Sequence, residues 1–378
     1  MLGFARFLAC VAIAGGASPR RMPAASTMLA AQYTEFGGPI TVREVPRPAV
    51  SAGGVVVEVK ATGVCRSDWH GWRGHDSDIR DHGLPFTPGH ELSGVVVEVG
   101  AGVTRFRPGD RVAVPFILSC GACRECARGK PTVCERQEQP GFTRRGSFAQ
   151  FVFLPRADRN LCHLPAAVSH VQAAALGCRT TTAFRAVVQQ GRVRSGETVA
   201  VFGCGGVGLS AVMIAAGEGA RVIAVDISEA NLEKARRLGA RATVDAARGA
   251  EHVRDEIRRL TGGVGADLTV DAAGFASTCE AAVWCARRGG RVVQVGLPLG
   301  DPAPSVPMAR VAGWELEITG SHGIAASDFP SILQMVVDGK LRPEELVERE
   351  VSLAEGAAAI MEMDHGSPVG ITMVTNLS

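Results

Sequence analysis

A strong excess of charge of one sign is absent from this chain, and its absence excludes several classes of partner. The 40 basic and 38 acidic residues leave a formal charge of +2, so the sequence has no basic footprint of the kind that binds nucleic acid. Long apolar runs are missing too, since no stretch approaches the roughly 20 apolar residues of a membrane-spanning helix. Internal repeats and low-complexity segments are also lacking in the body of the chain. We therefore expect neither nucleic acid nor a membrane as a partner.

The length and the cysteines indicate a globular protein with one unusual local cluster. A chain of 378 residues is too long for one compact core and suits two domains. Of its 11 cysteines, four lie between Cys120 and Cys134, and the others are scattered through apolar segments. This distribution favours metal-binding thiolates and buried thiols in a reducing compartment over disulfides. We accordingly expect a cytoplasmic protein.

The N-terminal segment has two alternative interpretations. Residues 1–34 contain three arginines and no acidic residue, and the apolar stretch at residues 7–14 is too short to span a bilayer. In one interpretation, residues 1–27 are a targeting segment, which would place the protein in a plastid or mitochondrion. In the other, the start of the chain is over-extended and Met28 is the true first residue.

The first half of the chain predicts a β-rich domain. Short β-branched runs alternate with glycine and proline turns from Gln32 to about Phe153. The clearest predicted strands are residues 55–59, 95–99 and 111–114. A Pro-Gly-Asp turn directly precedes the third of them.

After about Leu176 strands alternate with helices, which predicts a doubly wound parallel sheet. The predicted strands are residues 199–202, 222–225, 268–270 and 292–295, and the predicted helices are residues 207–216 and 229–238. Gly239 follows the second helix as a C-terminal cap. Beyond Gly320 a helix at 329–338 and a strand at 370–374 are expected to return to the first domain. The predicted limits are thus an extension at 1–27, a β-rich domain at 28–178, a coenzyme domain at 179–320, and the return at 321–378.

A glycine-rich turn between the predicted strand 199–202 and the helix 207–216 predicts a dinucleotide site. Its glycines permit a tight turn, close approach to a pyrophosphate and tight helix packing, and the helix N-terminus supplies free amides. The motif is Gly-x-Gly-x-x-Gly, with coenzyme-binding residues Gly203, Gly205, Gly206, Val207 and Gly208.

Asp226 ends the next predicted strand, at about the spacing where a carboxylate binds the ribose hydroxyls of the adenosine. The plain structural alternative is that Asp226 only caps the end of the strand. Ile227 follows, and no Arg or Lys stands beside it. Because a carboxylate would repel a 2′-phosphate, the sequence favours NAD over NADP.

Four cysteines on a short glycine-containing loop predict a structural zinc site. They are spaced Cys-x2-Cys-x2-Cys-x7-Cys and comprise Cys120, Cys123, Cys126 and Cys134. An iron–sulfur cluster is the rival, but bacterial ferredoxin spacing ends in x3-Cys-Pro, and x7 separates the last pair here. A disulfide within the cluster is the remaining alternative.

A second metal site would have to be assembled from distant positions. Cys65 offers a thiolate and His90 an imidazole, while Cys178 stands alone in the sequence. Read in isolation, a residue such as His90 is more often a loop histidine with satisfied hydrogen bonds than a ligand, and the cysteines are more often small core residues. The residues themselves leave both interpretations open.

The ordered set of motifs resembles a known family. Along the chain stand Cys-Arg-Ser-Asp at 65–68, Pro-Gly-His-Glu at 88–91, the four-cysteine lobe, the lone Cys178, and the glycine-rich turn. This set is similar to that of the zinc-containing alcohol dehydrogenases of the medium-chain dehydrogenase/reductase superfamily, over roughly residues 28–378. The resemblance implies a mixed α/β protein, with a GroES-like β-rich catalytic domain and a Rossmann coenzyme domain.

The resemblance also assigns the metal site. Cys65, His90 and Cys178 match the ligands of a catalytic zinc with its fourth position open, a ligand set that comes from the family and not from the spacing. Asp68 matches a carboxylate that orients a ligand imidazole. Glu91 matches a residue beside the metal that can exchange with a ligand.

Further matches concern the substrate and the coenzyme. Ser67 and His70 match a proton relay from the substrate oxygen to solvent. The other matched residues are Arg66 at the pyrophosphate, Thr182 at the nicotinamide, Gly296 at the coenzyme, and Phe116 and Leu297 at the substrate pocket.

The activity implied is the reversible transfer of hydride between a primary or secondary alcohol and NAD, giving an aldehyde or ketone, with two zinc ions per chain. Because the family contains dimers and tetramers, we expect a homodimer or a homotetramer. Arg179 departs from the family, which more often has a small or apolar residue after the third ligand. Trp69 and Trp72 are either core residues or a wall of the substrate channel.

Three rival functions follow from the same residues. Polyol dehydrogenases share the fold and the zinc but typically lack a cysteine at the position of Cys178. A zinc-free quinone reductase of the superfamily is disfavoured by both cysteine sets. A non-catalytic redox-sensing protein, with the Cys120–Cys134 cluster as a disulfide switch, belongs to a different class.

Overall fold

The computed structural model describes residues 26–298, 303–366 and 368–378. Most of the predicted N-terminal extension, residues 1–25, therefore lies outside the described residues. The strands in chain order are β1 (Thr27–Gln32), β2 (Thr41–Pro46), β3 (Val55–Val64), β4 (Glu91–Val99), β5 (Arg111–Val114), β6 (Phe151–Leu154), β7 (Cys162–His163), β8 (Thr198–Phe202), β9 (Arg221–Asp226), β10 (Ala242–Asp245), β11 (Ala266–Asp271), β12 (Ala286–Gln294), β13 (Glu317–Gly320), β14 (Val347–Ser352) and β15 (Ile371–Asn376).

Helices connect and cover these strands. In chain order they are α1 (Arg66–Trp72), α2 (Ser77–His82), α3 (Arg124–Ala127), α4 (Ala157–Asn160), α5 (His170–Ala175), α6 (Thr181–Phe184), α7 (Gly206–Gly217), α8 (Glu229–Arg237), α9 (Ala250–Leu260), α10 (Ala276–Cys285), α11 (Met308–Trp314), α12 (Phe329–Val337) and α13 (Leu353–Glu362). Two π-helical segments, Leu176–Thr180 and Arg185–Gln190, flank α6.

The β-rich sheet brings distant parts of the sequence together. Its order is β14-β15-β3-β4-β5-β7, with β6 also paired to β3. β3 and β4 are antiparallel, and their register places Gly63 opposite Glu91. The residues that directly follow β3 and directly precede β4 therefore meet at one end of the sheet. β15 pairs antiparallel with β3, so the last strand of the chain lies in this sheet.

The second sheet is parallel throughout, in the order β10-β9-β8-β11-β12-β13. Numbered from β8, this is the 3-2-1-4-5-6 order of the Rossmann fold, and ligands bind where the order reverses, here between β8 and β11. Every residue of β8 is buried, which is expected for a strand covered by helices on both faces. The predicted fold class is confirmed.

The helix after β9 shows how local sequence sets these elements. The Ser228 hydroxyl accepts a hydrogen bond from the Asn231 N–H at the start of α8. Lys234, Arg236 and Arg237 lie in the last turn, where positive charge favours the helix dipole. Gly239 follows with a φ of +111°, a left-handed conformation that glycine adopts without strain. These signals are local, and the predicted helix agrees with the observed one within a residue.

The main differences from the predicted elements concern strand length. β12 begins at Ala286, six residues before the predicted start at 292. Its first residues include Arg287, Arg288 and two glycines, which give no apolar signal in the sequence.

Trp72 is a core residue, since its ring is buried and its Nε1–H donates to the Gly38 carbonyl oxygen at 2.6 Å. None of the helices in the described ranges is long and apolar enough to cross a bilayer.

Candidate active site

Asp68 connects the two sequence motifs that meet at the end of the β-rich sheet. Cys65 directly follows β3, and its backbone N–H donates to Asp68 Oδ2 at 3.0 Å. The other carboxylate oxygen, Oδ1, accepts from the Gly89 N–H and from His90 Nδ1, each at 3.0 Å. Asp68 is buried, so its position fixes both the Cys65 loop and the ring of His90.

His90 presents one nitrogen that the surrounding protein leaves unpaired. The residue is fully buried, and its Nε2 has no hydrogen-bond partner among the described residues. Because Nδ1 is held by the Asp68 carboxylate, Nε2 carries the lone pair of the neutral ring. A buried polar atom without a partner is costly, and a metal ion at Nε2 would remove that cost.

Cys178 completes this group from a distant segment of the chain. It lies in the π-helical segment Leu176–Thr180, a form that often marks functional sites. The preceding Gly177 is required there, since a Cβ at this position would lie 2.4 Å from the Glu91 Cβ. One ligand atom each of Cys65, His90, Glu91 and Cys178 lies within 4.8 Å of the others. The predicted distant ligands are therefore brought together, and the donor set of two thiolates and an imidazole fits zinc.

Glu91 and Arg179 form a buried ion pair beside this cluster. The Arg179 Nε–H donates to Glu91 Oε1 at 3.0 Å, and Nη2 donates to Oε2 and to the Val64 carbonyl oxygen. The backbone N–H groups of Cys178 and Arg179 also donate to Oε1. Burial alone would lower the pKa of Arg179, but Glu91 and Cys65 outweigh it and raise the pKa. The residue that departs from the family thus neutralises a carboxylate at the metal site.

The thiol of Cys65 is prepared for metal binding. The neighbouring Cys178 thiol and the His90 imidazole hold its pKa below the usual range, against the opposing effect of burial. Ser67 Oγ lies 3.8 Å from Cys65 Sγ. Ser67 and His70 lie three residues apart on α1, so both side chains belong to one face of the helix. The predicted relay residues therefore begin at the metal cluster and lead away from it.

The four cysteines of the predicted structural site also converge. Their sulfur atoms lie within 4.8 Å of one another. Backbone N–H groups of Cys120, Ala122, Cys123 and Arg136 donate to these sulfurs at 3.2–3.4 Å. Such bonds from Ala122 and Cys123 lower the pKa of Cys120 to about 6. The ten cysteines that the structure describes carry free thiols, and a thiolate tetrad is the donor set of structural zinc.

The glycine-rich turn has the geometry of a phosphate-binding loop. Gly203 follows β8 with a φ of +83°, and a Cβ on Gly208 would lie 1.7 Å from the Gly203 carbonyl oxygen. These two positions therefore require glycine. Gly205 precedes the first turn of α7, and the space where its Cβ would point is open. Free amides at a helix N-terminus are donors that can bind a phosphate group.

Asp226 lies beside this turn at the end of β9. Its Oδ2 accepts from the Cys204 N–H at 2.6 Å, and Oδ1 accepts from the Ser228 N–H and the Asn231 amide. An ionised carboxylate has about four acceptor sites, so capacity remains for ribose hydroxyls. Asp226 therefore caps the strand end, as the plain alternative has it, and its binding of a ribose stays a prediction. Ile227 next to it is 74% exposed.

The predicted coenzyme residues Thr182, Gly296 and Arg66 each contact a different part of the chain. Thr182 accepts from the Gly323 N–H through its hydroxyl and from Ser321 through its carbonyl oxygen. Gly296 packs against Gly274 so closely that a Cβ would lie 2.3 Å from its nitrogen. The guanidinium of Arg66 donates to the Met363 carbonyl oxygen and lies 3.6 Å above the Trp69 ring.

The two predicted pocket residues, Phe116 and Leu297, have different surroundings. The Phe116 ring packs edge-on against His90 at 6.0 Å and faces His322 at 5.4 Å. Leu297 is 72% exposed. No signal in the sequence singles out His322, His75 or the Arg179 ion pair, because each depends on a contact between segments that only the fold joins.

Comparison with known proteins accords with this geometry. Residues 51–166 match the alcohol dehydrogenase GroES-like domain, and residues 206–338 match the zinc-binding dehydrogenase family. An alcohol dehydrogenase of Geobacillus stearothermophilus is 37% identical over 83% of this chain and 90% of its own length. The NAD-dependent alcohol dehydrogenase of Sulfurisphaera tokodaii is 32% identical over 91% and 98%. A sorbitol dehydrogenase of Halalkalibacterium halodurans is 30% identical over 92% and 99%.

Solved structures are similar over nearly the whole chain. The alcohol dehydrogenase rspB of Escherichia coli CFT073, complexed with NADH, has a TM-score of 0.82 at 30% identity and covers 93% of this chain and 99% of its own. A zinc-binding dehydrogenase of Sinorhizobium meliloti 1021, bound to NADP, has a TM-score of 0.81 at 29% identity with the same coverage. With both domains matched and both cysteine clusters assembled, this chain is an oxidoreductase that belongs to the zinc-containing alcohol dehydrogenase family of the medium-chain dehydrogenase/reductase superfamily.

Proposed function

We propose that this enzyme oxidises a primary or secondary alcohol to an aldehyde or ketone, reversibly, with NAD as the hydride acceptor. The observation that carries the proposal is the unpaired, fully buried Nε2 of His90, which Asp68 orients toward the thiols of Cys65 and Cys178. A zinc ion bound there would polarise the alcohol oxygen, and NAD would take the hydride.

The protein's own residues would orient the substrate and the metal ligands and would exclude water from the site. Phe116, whose ring packs against that of His90, and the exposed Leu297 would hold the carbon chain of the substrate. Ser67 lies beside Cys65 and would take the proton of the alcohol. Asp68 and the Arg179–Glu91 pair would keep the metal ligands in place, since each is buried and hydrogen-bonded to neighbouring groups.

The placement of the coenzyme remains part of this proposal. The glycines of the turn, Val207 at the start of α7 and Asp226 would bind the pyrophosphate and the adenosine ribose. Thr182 would pack on the nicotinamide, and Gly296 would contact the coenzyme. Arg66 stacks on Trp69, so a pyrophosphate contact requires its guanidinium to leave that ring. The domain limits at 28–178, 179–320 and 321–378 and a dimeric or tetrameric assembly also stay predictions.

Zinc content and an alcohol panel test the function together. We expect about two zinc ions per chain by elemental analysis, one for each cysteine-containing cluster. NADH absorbance across primary, secondary and aromatic alcohols and sugar alcohols should identify the substrate class. A chain without zinc and with titratable disulfides at Cys120–Cys134 would instead support the redox switch. Turnover confined to sugar alcohols would support the polyol alternative, which the sorbitol dehydrogenase relative keeps open.

Coenzyme preference should depend on Asp226. In the double variant Asp226→Gly/Ile227→Arg, we expect the preference to move toward NADP by about 10- to 100-fold, the range that one charge-assisted hydrogen bond commands. Ile227→Arg alone is the matched control and should change the preference less, because the carboxylate still repels a 2′-phosphate. The ratio of kcat/KM for the two coenzymes measures the effect. An unmodified enzyme that already prefers NADP would contradict this role for Asp226.

A further inference from the structure

A second histidine lies in direct contact with the predicted end of the proton relay. His75 follows α1 in a short loop, and its Nδ1 lies 3.1 Å from the Nδ1 of His70. Its backbone N–H donates to the His70 carbonyl oxygen at 2.9 Å. His70 is half-buried and His75 is exposed. The pair therefore leads from the interior of the site to bulk solvent.

The geometry of the two rings constrains their protons. A hydrogen bond between two Nδ1 atoms requires one ring to donate and the other to accept, so one proton lies between them. Each ring then has only Nε2 left for other partners. Since Ser67 and His70 share one face of α1, the Nε2 of His70 is the atom left to receive a proton from the relay, and the Nε2 of His75 is the atom left to release one.

Trp69 holds both imidazoles in this arrangement. Its ring packs edge-on against His70 at 4.8 Å and against His75 at 5.4 Å. The Trp69 Nε1–H donates to Asp364 Oδ1 at 2.7 Å, and the Arg66 guanidinium covers its other side. The Trp69 ring, which itself contacts Asp364 and Arg66, thus holds the two imidazole rings in place. A loop histidine without a role would not require such packing.

Charged groups around the pair keep His70 able to accept a proton. Burial, Arg66 and His75 lower the pKa of His70, against smaller opposing effects of Cys65 and Asp76. Asp364 and Arg73 form an ion pair on the other side of Trp69. A lowered pKa leaves the ring neutral near neutral pH, which a proton acceptor requires.

We propose that His75, and not His70, is the terminal proton acceptor of the reaction, so that the relay runs through two imidazoles in series. The inference rests on the proposed function. During alcohol oxidation one proton arrives at His70 Nε2, the shared proton crosses from His70 Nδ1 to His75 Nδ1, and one proton leaves His75 Nε2 to water. Carbonyl reduction runs the same transfers in reverse, and exchange with water restores the starting tautomers.

His75→Gln tests the inference in the zinc-loaded enzyme. We expect alcohol oxidation to slow by about 10-fold below neutral pH, less than the roughly 100-fold of an irreplaceable acid–base group, because water can bypass a terminal member. KM values should stay unchanged, the solvent isotope effect should rise, and imidazole buffer should restore the rate. The matched control is His82→Gln, since His82 is an exposed histidine on the adjacent α2 that does not contact His70. Its profile should equal that of the unmodified enzyme.

Two further measurements separate a relay from a structural role. The double variant His70→Gln/His75→Gln should be no slower than His70→Gln alone, because members of a series relay are not additive. In the coenzyme-free protein, the nitrogen NMR resonance of His70 Nδ1 should change in His75→Gln and not in His82→Gln. If the rate loss of the double variant equals the product of the two single losses, the series relay is wrong. An unchanged pH profile in His75→Gln would also overturn it. An unmodified enzyme that forms no NADH from any alcohol would overturn the proposed function instead, and the NMR comparison distinguishes the two failures.

Discussion

Replacing Cys178 by serine is expected to abolish turnover while leaving the fold and coenzyme binding nearly intact. Cys178 contributes a sulfur to the group with Cys65 and His90, but its segment is held by other contacts, including the Thr180 hydroxyl to the Ala175 carbonyl oxygen at 2.9 Å. Loss of this ligand would remove a metal-dependent stabilisation of charge in the transition state that is worth several kcal/mol. We therefore expect kcat to fall by at least about 100-fold. Alcohol oxidation, coenzyme titration and thermal unfolding measure the three properties.

Cys123→Ser should instead lower the stability of the fold first and the activity only as a consequence. Cys123 lies in the four-sulfur lobe, where metal binding contributes directly to the folding free energy, by about 10 kcal/mol for small structural zinc sites. We expect a lower melting temperature, the loss of about one zinc ion and a secondary loss of activity. Cys285→Ser is the matched control, because this cysteine is buried outside both clusters and should retain both metals. Equal loss of folding in Cys178→Ser and Cys123→Ser would contradict separate structural and catalytic metal sites.

Arg179→Met is expected to cost about 3–5 kcal/mol of unfolding free energy, the usual effect of removing one partner of a buried ion pair. Glu91 is fully buried and keeps only two backbone donors once the guanidinium is gone. Burial raises the pKa of Glu91, and Arg179 is the main group that opposes it. Denaturant unfolding of the zinc-loaded protein measures the loss.

Two comparisons isolate the ion pair as the cause. Glu91→Gln/Arg179→Met should recover most of the lost stability, because it removes both charges together. Arg236→Met removes an arginine that pairs with Glu229 and Glu233 on the exposed face of α8, and should cost less than about 1 kcal/mol. A loss in Arg179→Met no larger than in Arg236→Met would mean that water or a rearranged side chain compensates Glu91.

Features that depend on neighbouring residues could be predicted from the sequence alone. The helix 229–238 could be predicted because its cap, its basic last turn and Gly239 are local signals. The four-cysteine lobe spans 15 residues of one loop, so its spacing alone indicates a metal site. The glycine turn is equally local, since a strand, three glycines and a helix follow one another directly. The resemblance to the family then assigned the distant ligands, which spacing could not.

Contacts between distant side chains could not be predicted in this way, because they depend on how the chain folds. The β3–β4 register places Gly63 opposite Glu91, and this pairing is what brings Cys65 and His90 to one end of the sheet. Arg179 is an anomaly in the sequence and a neutralising partner in the fold, because Glu91 lies 88 positions away along the chain. His75 became visible as a relay residue only through its contact with His70. A sequence pattern records local conformation, whereas these roles arise from pairings whose partners are fixed by sheet register and burial.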